Sequence, residues 1–332
     1  VKSVEGRFSE EWKIEENHIL LDHTVMIMHY PKDFTTIPEF FEIRSYLSSV
    51  ASGNAGKEPV IETDAQMIEG YYRQNQIEMI LERALRERSI QVSSQPIYSL
   101  KEKRIVSLEA LARLFDGELG YIPPAEFIPI AEKNGDIIRI GEIVLEECCK
   151  FLSKHVLSNM SLGIRSIQIN ISVAQCMQQN LKEAILPILQ KYHIPTSMIV
   201  LELTESTAIN APALMEHHMK ELGDAGISFA MDDYGTGSAN CSYLMRFPFQ
   251  EVKMDRDMTL AYFNNETARI VIENEIRTMQ KLGIPMVVEG VEKLERLGVE
   301  YIQGYYYGKP LPEMECLRYI RNFNSAPEDY GR

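Results

Sequence analysis

From about residue 90 onward, short apolar runs of strand character alternate with longer stretches in which apolar positions return every three or four residues. Eight such runs are present: 94–99 (SQPIYS), 105–111 (IVSLEAL), 166–171 (SIQINI), 198–203 (MIVLEL), 227–232 (ISFAMD), 250–254 (QEVKM), 285–289 (PMVVE) and 301–304 (YIQG). Most are continuous Val, Ile, Leu and Met rather than strictly alternating, as expected of strands covered by helices on both faces. Eight strands in roughly 230 residues predict an α/β fold, a (β/α)8 TIM-like barrel.

Only Leu100 to Arg104 separates the first two runs, too few residues for a helical crossover, so these strands are expected to form an antiparallel hairpin. Upstream, Met67, Ile68, Tyr71, Ile77, Ile80, Leu81, Ala84 and Leu85 stand at helical spacing among charges, predicting one long connecting helix over 64–90. The strand-like LLDHTVMIM at 20–28 belongs to a separate small α/β segment, and SSVASGNAG at 48–56 reads as a small-residue loop. The expected division is an N-terminal segment over 1–60, a connecting helix over 61–90 and a barrel over 91–325.

Composition narrows the chemistry. The 332 residues carry 34 Lys and Arg against 48 Asp and Glu, a net charge of −14, which argues against DNA or RNA binding. No apolar run approaches the roughly 20 residues needed to cross a bilayer and the N-terminus has no signal-peptide core, so this chain is expected not to insert in a membrane. A cytoplasmic location, with or without a membrane-anchored parent, is the expectation. The five cysteines include no C-x-x-C pair and the seven histidines no H-E-x-x-H, which disfavours zinc chemistry. There is no G-x-x-x-x-G-K-[ST] either, so phosphate chemistry must rest on other groups.

In a barrel of this kind the active site lies where strands pass into loops on the C-terminal face. The expected strand ends carry Glu109, Asn170, Glu202, the pair Asp232 and Asp233, Lys253, Glu289 and Gln303. Taken singly, each acidic or amide residue there serves equally well as a helix cap. Together they would bring several carboxylates into one space, where they repel unless cations neutralise them. Oxygen-only ligands point to Mg²⁺ or Mn²⁺.

The stretch Glu109-Ala110-Leu111 followed by Arg113, with QINIS (168–172), LELTES (201–206), MDDYGTGSAN (231–240), VKMDR (252–256), VVEGVE (287–292) and QGYYYGKPLP (303–312), resembles in order the motifs of EAL domains. These are cyclic di-GMP phosphodiesterases, and the seven ordered motifs span roughly 92–320. The resemblance implies a metal-dependent hydrolase that opens cyclic di-GMP to linear 5′-pGpG. It implies that Glu109, Asn170, Glu202 and Asp232 hold a first metal, and that Asp233 and Glu289 complete a second. Lys253, Glu289, Glu109 and Asp232 would carry catalysis, with Lys253 orienting water or the scissile phosphate. Gln95, Leu111, Arg113, Gln303 and Pro310 would contact the substrate, and Glu205 would steady the DDYGTG loop.

This chain departs from the family pattern in two places. Only Lys293 to Ile302 intervenes before the QG motif, shorter than usual, and residues 30–47 faintly resemble the end of a GGDEF domain without its signature. The N-terminal segment is therefore expected to be a partial or degenerate GGDEF-like piece. An alternative reading is an inactive EAL module that serves as a cyclic di-GMP receptor or a protein-interaction domain. A homodimer is expected through the stretch after Asp233, with Tyr243, Leu244, Met245 and Phe247 as its exposed residues.

Overall fold

The computed structural model describes residues 6, 11–14, 17–19, 24–53, 60–158, 162–204, 212–235, 242–289 and 297–325. Eight strands lie where the apolar runs predict them. They are β1 (Gln91–Ser99), β2 (Arg104–Asp116), β3 (Ser166–Asn170), β4 (Ile199–Thr204), β5 (Ser228–Tyr234), β6 (Glu251–Met254), β7 (Met286–Glu289) and β8 (Tyr301–Gln303). Pairing runs from β2 through to β8 in chain order, and β1 joins both β8 and β2, so the sheet closes into a barrel.

β1 is antiparallel to both neighbours, with Gln95 opposite Glu109 and Gln303 opposite Ile97. The short 100–103 turn makes this unavoidable, because a hairpin reverses the chain whereas a parallel return needs a helix. The remaining neighbours are parallel, for example Asn170 beside Glu202 and Lys253 beside Val287. Ile167, Ile169, Leu201, Leu203, Val252, Met254 and Val288 are all buried, packing the barrel wall against its helices. The C-terminal helix Glu313–Ser325 also engages the β2 end of the barrel. There, Asn324 accepts from the Ile105 amide at 2.8 Å and donates to the carbonyls of Ile105 and Leu162, both at 3.0 Å.

The chain divides into two compact units, Val1–Ile80 and Leu81–Arg332, with the boundary inside the helix Ala65–Glu87. In the first unit, strands Val25–Ile27 and Val60–Glu62 pair in parallel across the crossover helix Ile37–Gly53. Its core is Ile43, Leu47 and Tyr71, with Met26, Met28, Phe34 and Met67 packed around them. The loop expected at 48–56 is overturned in its first half, since 48–53 continue the helix. Ser48 and Val50 carry on from Leu47, which is anchored in the core, and a run of Ser and Ala does not stop a helix already held by packing. Residues 54–56, and the start of the strand expected at 20–28, lie outside the described residues.

Cys148, Cys149, Cys176 and Cys316 are buried, unpaired thiols, and burial pushes Cys176 and Cys316 up to about 12. Among the described residues no helix is long and apolar enough to cross a membrane.

Candidate active site

Side chains on a barrel strand alternate between wall and interior, so the interior of β6 receives Lys253 while Val252 and Met254 pack outward at 0% exposure. Lys253 is itself only 1% exposed. Its Nζ lies 2.9 Å from Glu202 Oε1, 3.1 Å from Glu109 Oε2, 3.3 Å from Asp232 Oδ1 and 3.5 Å from Glu289 Oε1. Four carboxylates from β2, β4, β5 and β7 thus converge on one ammonium. Burying any of these ions costs several kcal/mol, and the arrangement is tolerable because each charge faces an opposite one.

Glu109 has further partners. Asn170 Nδ2 donates to its Oε1 at 3.0 Å, and Gln303 Nε2 donates to its Oε2. Burial acts to raise its pKa, but Lys253, Gln303 and Asn170 outweigh that and hold the carboxyl below its ordinary range. Glu202 goes the other way. Burial and the neighbouring Glu109 push it well above the usual range, Lys253 notwithstanding, and among the described residues its oxygens have no donor besides Lys253. Glu289 is pushed up to about 7, first by burial and then, against Lys253, by Asp232 and Glu109.

Asp232 and Asp233 are consecutive, which on a regular strand would send them to opposite faces. The β5–β6 register shifts between Met231 and Tyr234, and Asp233 takes a left-handed φ of 54°, a conformation that Asp tolerates better than most residues. Burial and Asp232 push Asp233 up to about 6. Gly235 follows with φ of 99°, where a Cβ would meet the Met258 side chain at 2.8 Å. The backbone favours glycine there, and any side chain would also have to displace Met258.

The site is graded in depth. Lys253, Glu202, Gln303, Glu109 and Asp232 are buried, Glu289 is intermediate, and Asn170 and Asp233 stand exposed at the mouth. Glu109 departs from the expected placement, for it is not a strand-end residue. β2 continues beyond it because residues 110–113 stay paired with β1 and Leu114, Phe115 and Asp116 pair with a further strand, Gly120–Ile122. Two polar residues absent from the expected set also face the interior: Gln168 Nε2 donates to Glu251 Oε1 across the barrel. Each stands two residues before an expected site residue, Asn170 and Lys253, and that spacing was the available signal.

Beside the carboxylates lies a cavity of about 420 Å³ whose lining includes Leu111, Arg113 and Asn170 together with Ile128, Ile137 and Ile140. Arg113 Nη1 donates to the Ala112 carbonyl at 2.9 Å. On the opposite side of Glu109, Gln95 Nε2 donates to the Gly308 carbonyl at 3.4 Å, and Leu311, next to Pro310, pairs with Ser94. Of the expected dimer residues, Met245 is exposed and Tyr243 and Leu244 are intermediate, but Phe247 is buried. Phe247 stacks on Tyr243 and turns inward towards Phe249, which corrects its expected exposure. Glu205 lies outside the described residues.

The donor set can be tested against a divalent cation. Every candidate ligand is an oxygen donor suited to a hard cation, and Glu202 contributes two buried oxygens with no donor besides Lys253 among the described residues. Among the described residues no three Asp, Glu, His or Cys side chains stand in an arrangement that would itself hold a metal, and the ammonium of Lys253 lies among the carboxylates. The residues fit such an ion in chemistry, with Lys253 sharing their oxygens.

Its likeness to known proteins places the chain in a family. The EAL domain model matches residues 78–310. The bifunctional diguanylate cyclase/cyclic di-GMP phosphodiesterase MucR of Pseudomonas aeruginosa is 27% identical over 317 residues, covering 94% of this chain and 46% of that protein. Cyclic di-GMP phosphodiesterase RocR of the same organism is 30% identical over 231 residues, 68% of this chain and 58% of RocR. The chain thus spans about half the length of these curated relatives. Among solved structures, the PaMucR phosphodiesterase in complex with c-di-GMP superposes with a TM-score of 0.68 at 29% identity, covering 73% of this chain and 99% of that one. The EAL enzyme Bd1971 in its cAMP and cyclic-di-GMP bound form gives 0.71 at 25% identity over 86% and 76%. A closed barrel with an antiparallel first strand, a ring of carboxylates around a buried lysine and these matches lead to one conclusion: the chain belongs to the EAL domain family.

Proposed function

We propose that this chain is a divalent-metal-dependent phosphodiesterase that hydrolyses cyclic di-GMP to linear 5′-pGpG. The observation that carries the reading is the convergence of Glu109, Glu202, Asp232 and Glu289 on Lys253 at the barrel mouth, in a chain related to phosphodiesterases of that dinucleotide. Glu109, Asn170, Glu202 and Asp232 would hold one Mg²⁺ or Mn²⁺, with Asp233 and Glu289 adding to a second. Such ions, when bound, acidify water and offset charge on the phosphodiester. The chain's own residues do the rest. Arg113 pairs with a phosphate oxygen through its planar fork, and the cavity walled by Ile128, Ile137 and Ile140 takes a purine face. Gln95 and Pro310 bound the substrate's other end, while Gln303 fixes Glu109 and Lys253 steadies the incoming water or the scissile phosphate. Water adds to phosphorus, the 3′-oxygen leaves, and one strand of the ring opens.

The same reading extends to the rest of the chain. The unit before the barrel is a degenerate GGDEF-like remnant without cyclase function, the protein acts in the cytoplasm, and the helix Ser242–Arg246 contributes Met245 to a twofold interface. The test is incubation of the purified protein with cyclic di-GMP and Mg²⁺ or Mn²⁺, with and without EDTA, followed by chromatography of the nucleotides. Formation of 5′-pGpG only with metal is expected. Saturable binding with no linear product under either metal would replace this reading with that of a receptor.

A further inference from the structure

Four carboxylates of the barrel share one cation that the chain itself supplies. Glu109, Glu202, Asp232 and Glu289 bring up to four negative charges within 3.5 Å of a single ammonium that is 1% exposed. Their dependence on it is unequal. Glu109 keeps two amide donors, Asn170 and Gln303, whatever Lys253 does. Glu202, also 1% exposed, has Lys253 at 2.9 Å and, among the described residues, no other donor on either oxygen. Without that ammonium Glu202 would be a buried carboxyl with no cation beside it, either ionised at high cost or forced to hold a proton.

We propose that Lys253 is a tethered counter-cation that competes with the divalent metal for the carboxylates of Glu202, Glu109 and Asp232, keeping the metal-free barrel folded and setting how much metal is needed to load it. This rests on the divalent-metal reading of the site given above. Ammonium and metal draw on the same oxygens, so each weakens the other's hold by the same factor, as linkage requires. The flexible four-carbon stem lets the ammonium keep some carboxylates while yielding others. A lysine that served only to orient substrate would not need to be surrounded on four sides by ligand oxygens.

The test is thermal unfolding and calorimetric titration with MgCl2 or MnCl2, after EDTA treatment, of the full chain, its Lys253→Met variant and the Lys253→Met/Glu202→Gln double variant. Lys253→Met is expected to melt about 10 °C lower without metal, as for a buried ion pair that loses one partner. Its melting point should then rise further on metal addition than that of the wild type, and its metal Kd should tighten about tenfold, as expected once a like charge is removed from the site. Glu202→Gln in the Lys253→Met background should restore much of the metal-free melting point, whereas Glu109→Gln in that background should restore less. A simple cavity left by the shorter side chain would lower the melting point equally with and without metal, and that result overturns the proposal. If Lys253→Met is insoluble without metal, recovery of folded protein by Glu202→Gln supports the proposal and failure to recover it counts against it. If neither wild type nor variant responds to either metal, the divalent-metal reading itself has failed, and the competition falls with it.

Discussion

The barrel interior holds two polar layers that solve the same electrostatic problem in opposite ways. The upper one gathers Glu109, Glu202, Asp232 and Glu289 around Lys253. The lower one is a single pair, Gln168 and Glu251, two residues earlier on β3 and β6. In the upper layer the ammonium and two amides hold Glu109 below the ordinary carboxylate range despite its burial. In the lower layer burial pushes Glu251 up to about 7, with Lys253 and the amide of Gln168 only partly offsetting it. Within the upper layer the outcome follows the number of donors: Glu109, with the ammonium and two amides, is held low, whereas Glu202 and Glu289, which share the same ammonium, are pushed up as Glu251 is. The layer built around a cation has the chemistry of an active site, and the layer with only an amide in contact has the chemistry of packing.

The largest effect that separates the layers should be on turnover. Asp232→Ala or Glu109→Ala is expected to lower the hydrolysis of cyclic di-GMP by on the order of 10³-fold or more, because each removes an oxygen from the charged ring. Glu251→Gln is expected to keep turnover within about threefold, since it preserves a hydrogen bond to Gln168 and takes nothing from the ring. Product formation followed by chromatography distinguishes them, with the exposed Glu87→Ala as a neutral control. An Asp232→Ala enzyme with full activity would dismiss the metal assignment, and a dead Glu251→Gln enzyme would merge the two layers into one functional unit.

A smaller effect lies in stability against pH. With its folded pKa raised from 4.5 to about 7, Glu251 binds a proton more tightly in the folded state, so the stability linked to it is present in acid and lost as pH rises from about 4.5 through 7. Glu251→Gln should therefore gain on the wild type between pH 5 and pH 8 by about 1–3 kcal/mol, the full shift being reduced because the side chain is only part-buried. Denaturant melts at several pH values would show it. A constant difference between the two proteins across that range would mean that the lower-layer carboxyl is charged after all.

The smallest effect concerns a carboxylate on the outer surface that does have cations. Glu146 accepts from Lys191 at 2.6 Å and from Tyr192 at 2.7 Å, and it pairs with Arg88. Lys191 and Tyr192, against some burial, lower its pKa to about 2. The sign is opposite to that of Glu251: its contribution is complete above about 4.5 and is lost as pH falls towards 2. Glu146→Gln should leave the melting point at pH 7 slightly lower, with the gap to the wild type narrowing below about pH 4.5 and closing near pH 2. An unchanged gap at acid pH would show that Lys191 and Tyr192 do not hold the charge of Glu146.

Much of this was legible along the chain. The eight barrel strands, the hairpin forced by Leu100 to Arg104 and the helix over Ala65–Glu87 followed from period and spacing, because these signals are local. The convergence of acidic residues on one lysine was legible as composition at strand ends, though not its depth. Glu109 sits in mid-strand because β2 stays paired with β1 as far as Arg113 and then with Gly120–Ile122, an extension with no trace in the IVSLEAL run. Phe247 reads as exposed by its neighbours in sequence and is buried by Tyr243 and Phe249.

The sequence by itself determined which residues can ionise and which strands face helices on both sides, since each depends on a few neighbouring residues. Only the tertiary structure decided which charges meet. Glu109, Glu202, Asp232 and Glu289 come from four strands far apart in the chain, and whether each keeps, loses or shares its proton depends on burial and on its distance to Lys253. Electrostatic energy falls with distance in space and is blind to separation along the chain, so closing the barrel sets the chemistry that the strands only supply.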